Sequence, residues 1–202
     1  MTPRSAFSAS LLLAIPALLF QLPGWAGHLQ WDRGAVARGQ IWRLVTCHWT
    51  HWSVRHLVWD LAAFVLLAVL CEARGRRALL AAVASSALLI PPVLWIAFPA
   101  METYRGLSGI DSALFVLAAV LLLREETEKN GGLRSGPALA AGVALLGFLL
   151  KVGYESVFGA ALFAGSEGLF VPVPLAHFVG GACGLLSLTG ASQNRRAASF
   201  CR

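Results

Sequence analysis

Six apolar stretches, parted by short polar or Gly/Pro-bearing connections, dominate this sequence; they run approximately over residues 6–22, 56–71, 78–100, 106–123, 137–154 and 172–188. A helix needs about 20 mainly apolar residues to cross the hydrocarbon of a bilayer, and each stretch comes close, the second and sixth being short. Inside lipid every backbone polar group must be satisfied within the segment, so only helices or closed barrels span. Barrel strands alternate in polarity and these runs do not. Composition agrees: 57% of the chain is apolar and only 13% charged, against about 25% charged in soluble domains. The net charge of +6 is spread along the chain, which excludes a nucleic-acid-binding or disordered protein. The expected fold is an all-α membrane bundle of six transmembrane helices. It forms a single domain over residues 1–202, with an outer interfacial loop at 23–55 and a cytoplasmic tail at 189–202.

Lys and Arg in the connections set the orientation. With the N-terminus inside, the cytoplasmic pieces hold Arg4, Arg74, Arg76, Arg77, Arg124, Lys129, Arg134, Arg195, Arg196 and Arg202, ten in all. The opposite side holds five: Arg33, Arg38, Arg43, Arg55 and Arg105. Both termini are therefore expected inside. Arg4 before an apolar run also fits a cleaved signal peptide, but with five further spans a retained first helix is the expectation. Only Cys47 faces the outer side in this topology, so no outer disulfide is expected.

Ionisable groups inside a span cost about 2.5–3.5 kcal/mol each, which makes them functional candidates. Here they are His56, Asp60, Asp111, Lys151 and His177. Lys151, near its helix end, is expected to snorkel outward. His56 and Asp60 open the second span, Ser108 and Asp111 the fourth, and His177 the sixth. All three spans run from outside to inside, so at 1.5 Å per residue these groups share one depth in the outer half of the bilayer.

Local spacing sharpens this. Gly106-Leu107-Ser108-Gly109 places a serine at a helix start, where unpaired backbone N–H groups can stabilise an oxyanion. His177, Gly180 and Gly184 fall at i, i+3 and i+7 on one helical face, which lets a neighbouring helix pack closely. A serine within reach of a histidine is the minimum for covalent acyl transfer.

These residues resemble the rhomboid intramembrane serine proteases. Gly106-x-Ser108-Gly109 is similar to their G-x-S-G, and Ala176-His177-x-x-Gly180-x-x-x-Gly184 to their A-H-x-x-G-x-x-x-G. Trp42-Arg43 with Thr46, His51 and His56 resembles their W-R…H…H entry to the second helix. The likeness covers about residues 40–190. Within the family, the short length, His56-x-x-x-Asp60 and the run from Tyr104 to Ser112 are most similar to the rhombosortase branch. The resemblance implies Ser108 as nucleophile and His177 as base, a dyad without an obligatory third acid. It implies that His56 and the Ser108 N–H, with the Gly106-Leu107 turn, bind the oxyanion, and that residues 155–171 form a mobile lid. It implies transmembrane substrates bearing a C-terminal Gly-Gly-type anchor, in a bacterial inner membrane with the site toward the periplasm. Neither cofactor nor metal is implied.

Two departures stand out. Where many rhomboids have asparagine four residues after the second-helix histidine, this chain has Asp60, which is either protonated or orients a histidine. Where many have an aromatic residue four after the serine, it has Ser112, so something else must hold His177. Asp111 is one candidate; alternatively it is a first-turn acid favoured by the helix dipole, or it recognises substrate. The other classes are a non-catalytic rhomboid-like protein binding transmembrane clients and, less well supported, a small transporter. His48, His51 and His56 raise a metal site, but no completing ligand lies nearby in sequence.

Overall fold

The computed structural model describes residues 8–130, 135–158 and 173–188. The order is α1 (Ser8–Leu19), α2 (Trp25–Leu29), β1 (Trp31–Asp32), α3 (Arg33–Ala37), α4 (Arg43–Thr46), α5 (Val54–Ala97), β2 (Thr103–Tyr104), α6 (Ser108–Asn130), α7 (Gly136–Phe158) and α8 (Pro174–Leu186). Among the described residues α5 and α7 are long and apolar enough to cross a membrane, while α1 and α8 are shorter apolar helices.

Helix α5 begins at Ser53, whose Oγ accepts the His56 N–H at 3.1 Å, a capping bond that satisfies a free helix-start donor. Its 44 residues would make a straight rod of roughly 66 Å, about twice the hydrocarbon thickness. Gly75, with φ 178° and ψ 93°, leaves the helical angles and divides α5 into two arms. The loop before the first arm touches the second: His48 Nε2 lies 3.3 Å from the Ala87 carbonyl. The arms therefore fold back on each other. That carbonyl is free because Pro91, four residues on, has no N–H to give it.

Helix α6 is the centre of the bundle, with Ile110, Ala113, Leu114 and Leu117 fully buried. It packs against α5, α7 and α8. Helix α1 is held at its start by the buried Glu72, which accepts from the Ser10 N–H at 2.8 Å and the Ser10 hydroxyl at 2.6 Å. Glu72 also pairs with Arg76 at 2.7 Å. An acid at a helix start suits the unpaired N–H groups there.

Several boundaries differ from expectation. The connection expected at 72–77 is helical apart from Gly75. Helix α6 continues past Leu123 to Asn130, and α7 past Tyr154 to Phe158. Polar residues there pair along the helix, as Lys129 Nζ does with Glu125 Oε1 at 2.7 Å, so loss of apolar character did not end the helix. Glu155 thus belongs to α7 and not to a lid; residues 159–171 of that expected lid, and the tail at 189–202, lie outside the described residues. The loop at 23–55 holds three short α-helices, a 3-10 turn at Cys47–Trp49 and a strand, β1, antiparallel to β2 with Trp31 opposite Tyr104. Arg33 fastens this loop to the end of α5, donating to the Trp95, Phe98 and Met101 carbonyls at 2.8–2.9 Å. Arg43 is buried and donates to the Gly27 and Gln30 carbonyls at 2.9 Å.

Candidate active site

The turn before α6 is tightly determined. Gly106 has φ +121°, a left-handed conformation that a side chain strains. A Cβ there would lie 3.1 Å from His56 Cε1 and 3.3 Å from Asp60 Oδ2. Its N–H donates to the Cys47 carbonyl at 3.2 Å. The next N–H, of Leu107, donates to Asp60 Oδ2 at 3.1 Å. Ser108 follows as the first residue of α6.

Asp60 gathers the histidines of this side. Its Oδ2 lies 3.1 Å from His56 Nε2 and 3.3 Å from His51 Nε2. His51 Nδ1 is 3.1 Å from the Gln21 amide nitrogen. An amide N–H there makes Nδ1 the acceptor and leaves Nε2–H to face Asp60. The carboxylate thus orients both rings and the Leu107 amide at once.

On the other side of Ser108, α8 lies against α6 with backbone close to backbone. A Cβ on Gly180 would collide with the Gly109 carbonyl, and one on Gly184 with that of Ala113. Gly109 reciprocates, a Cβ there falling 3.2 Å from the Ala176 carbonyl. This seam carries His177, one turn earlier, into a cavity of about 930 Å³ that Ser108, Asp111 and Ser112 also line. Its remaining wall comes from Ala63 and Leu67 of α5 and from α7, including Phe148, Lys151 and Tyr154.

What holds His177 comes from α7. Its Nδ1 is 3.2 Å from Glu155 Oε2, and that oxygen lies 2.7 Å from Lys151 Nζ. The Glu155 side chain is only 2% exposed. Lys151 does not snorkel freely; it is tied to this acid. Reading the sequence for orienting groups missed Glu155, which stood beyond the last apolar residue of its span. The signal that could have found it is Lys151-x-x-x-Glu155, an i,i+4 ion pair closing an otherwise apolar helix.

Asp111 lines the cavity with its Oδ1 buried and without a hydrogen bond among the described residues. Ser112 turns back on its own helix, its Oγ donating to the Ser108 carbonyl at 2.8 Å. Ser108 Oγ and His177 line the same cavity without a hydrogen bond between them. His48 is a structural residue. Burial pushes its pKa down to about 4, so it stays neutral and serves the Ala87 carbonyl. Among the described residues no His, Cys, Asp or Glu trio is arranged to hold a metal ion.

A family model for the rhomboid domain matches residues 38–193, most of the chain and all of the site just described. The chain belongs to the rhomboid family. It is an integral membrane protein, and its family comprises serine proteases acting on transmembrane substrates within the bilayer. No curated protein gives a significant match. In this rhomboid the residues of both family motifs come together: the Gly106–Gly109 turn packs on α8, and Ser108 and His177 open into one cavity.

Proposed function

We propose that this rhomboid is an active intramembrane serine endopeptidase with Ser108 as nucleophile and His177 as general base. The observation that carries the reading is the shared cavity, which Ser108 and His177 both line while Glu155 engages Nδ1, so that Nε2 is the ring nitrogen left for the serine proton. Nε2 takes the Ser108 proton as Oγ attacks the scissile carbonyl carbon, and the carbonyl π pair moves onto oxygen. The imidazolium then gives that proton to the leaving amine. Water, losing its own proton to Nε2, hydrolyses the acyl-enzyme and frees Ser108. The oxyanion falls to the Ser108 N–H, unpaired at the start of α6, with His56 beside it. Asp60 acts through His56 and the Leu107 amide, which suits the orienting reading of that residue.

The fuller proposal has six crossings with both termini cytoplasmic and the site opening outward, toward the periplasm of a bacterial inner membrane. Arg74, Arg76 and Arg77 flank the Gly75 bend, at the end of the first arm of α5 away from Asp60, as positive-inside charge requires. Its substrates are surface or secreted proteins carrying a C-terminal Gly-Gly-type membrane anchor. Cleavage needs a locally unwound helix, and each glycine costs a helix about 1 kcal/mol.

The test is co-expression with an anchored substrate. Ser108→Ala and His177→Ala abolish processing at unchanged protein level, and replacing the anchor's Gly-Gly by Leu-Leu slows it. Continued processing by the serine variant would overturn the nucleophile assignment. Processing of every transmembrane protein alike would remove only the anchor specificity.

A further inference from the structure

The side chains surrounding His177 carry an inference beyond the dyad, and it rests on the peptidase reading. We propose that Glu155 is the third member of the catalytic array: a positioning residue that fixes the His177 imidazole through Nδ1 and is itself fixed by Lys151.

The geometry has three parts. Glu155 Oε2 is 3.2 Å from His177 Nδ1, which in the peptidase reading leaves Nε2 for the serine. A carboxylate there accepts the Nδ1–H, which selects the tautomer with a free lone pair on Nε2 and stabilises the imidazolium formed when Nε2 takes the serine proton. The acid is almost wholly buried, its side chain 2% exposed, while His177 is 10% exposed at the cavity wall. A carboxylate so enclosed needs a partner, and Lys151 Nζ supplies one at 2.7 Å on the same oxygen, one turn earlier on α7.

No other described group competes for this role. Of the titratable groups lining the cavity, α6 supplies Asp111, which has no hydrogen bond to His177, and α7 supplies Lys151, which pairs with Glu155 itself, and Tyr154, whose ring packs on Phe158 at 4.6 Å. From α5 come only Ala63 and Leu67. Ser112, which also lines the cavity, is bonded to its own helix backbone. Glu155 reaches the base from the neighbouring helix.

The experiment uses the full-length protein in detergent and a fluorophosphonate probe, which needs no knowledge of the natural substrate. Ser108 Oγ displaces fluoride at phosphorus and its proton passes to His177 Nε2, so the saturating rate kinact reports the dyad directly. Glu155→Leu is expected to lower kinact at least about tenfold with the half-saturating probe concentration within about twofold. Glu155→Gln, whose Oε1 still accepts from Nδ1, is expected to fall between wild type and Glu155→Leu. Glu155→Leu combined with Lys151→Met removes both charges and leaves an apolar wall that packs; it is expected to be as slow as Glu155→Leu. Should this double variant recover the wild-type kinact, Glu155 serves only to neutralise Lys151 and the proposal fails. Wild-type kinact in Glu155→Leu would overturn it as well. Failure of the peptidase reading is separate: there the wild-type protein would show no labelling that Ser108→Ala abolishes.

Discussion

Against α8, the central helix α6 packs so closely that carbonyls occupy the space where side chains would stand; against α7 it leaves a cavity of about 930 Å³. Both flanks contain glycine, yet the glycines do different things. Gly180 and Gly184 admit the α6 backbone, whereas Gly142, Gly147 and Gly153 of α7 have no atom within 4 Å of a would-be Cβ. Ser108 and His177 sit on the two helices of the close seam, so their relative position is fixed by backbone contact. The space that a substrate must enter lies on the loose side. Rigidity and access are separated onto two different faces of one helix.

The largest effect expected from breaking this arrangement is at Gly180. In Gly180→Ala the new methyl meets the Gly109 carbonyl, which is backbone and cannot rotate away, so the helices must separate. We expect a loss of more than about 3 kcal/mol, beyond ordinary overpacking. Thermal melts in detergent and Ser108 labelling check this, and both should collapse together.

The loose flank predicts the opposite pattern. Gly147→Phe places a ring in the cavity where a Cβ meets nothing within 4 Å. Its melting temperature should match the wild type or exceed it slightly, since a glycine inside a helix is unfavourable. Cleavage of a transmembrane substrate should fall at least about tenfold while labelling by a small fluorophosphonate stays within about twofold. Equal loss of both activities would mean that the cavity shapes the dyad and is not merely an approach to it.

The seam was legible in the sequence and the loose flank was not, for a physical reason. His177, Gly180 and Gly184 share a face by helix periodicity alone, and glycine at that spacing has few purposes besides close approach. The same holds for Ser108 between its two glycines. Glu155 reaches His177 only through the rotation of α7 against α8, a tertiary relation that no local pattern encodes. The loop at 23–55 was opaque for another reason. Its helices span four or five residues each, too short to form unaided, and exist because Arg33, Arg43 and the Trp49 indole, which donates to the Leu13 carbonyl at 2.8 Å, fasten them to the bundle.

Asp111 gives a smaller effect and sharpens the division of labour. It faces the loose flank, and with His177 Nδ1 engaged by Glu155 it is not needed to hold the base. Asp111→Asn should change stability by no more than about 1 kcal/mol, since the buried Oδ1 has no hydrogen bond to lose. Its kcat should remain within about threefold of wild type. A kcat loss above about tenfold would return the orienting role to Asp111.

The smallest effect is expected one residue along from the largest. A Cβ on Gly181 would lie 3.1 Å from Phe148 Cε1 and 3.4 Å from Val116 Cγ2, both side-chain atoms. Phe148 lines the cavity and packs tilted on Phe115, ring centroids 5.7 Å apart, so its ring has free space to move into. In Gly181→Ala the cost of shifting that ring is opposed by alanine's advantage over glycine in a helix, about 1 kcal/mol. The two nearly cancel, and the net change should stay within about 1 kcal/mol with cleavage unaltered. The pair Gly180→Ala and Gly181→Ala therefore tests the comparison at adjacent positions of one helix, one methyl directed at fixed backbone and the other at a movable ring. If Gly181→Ala proves as damaging as its neighbour, the α7 flank is as unyielding as the seam, and the cavity is a rigid mould rather than room to adjust.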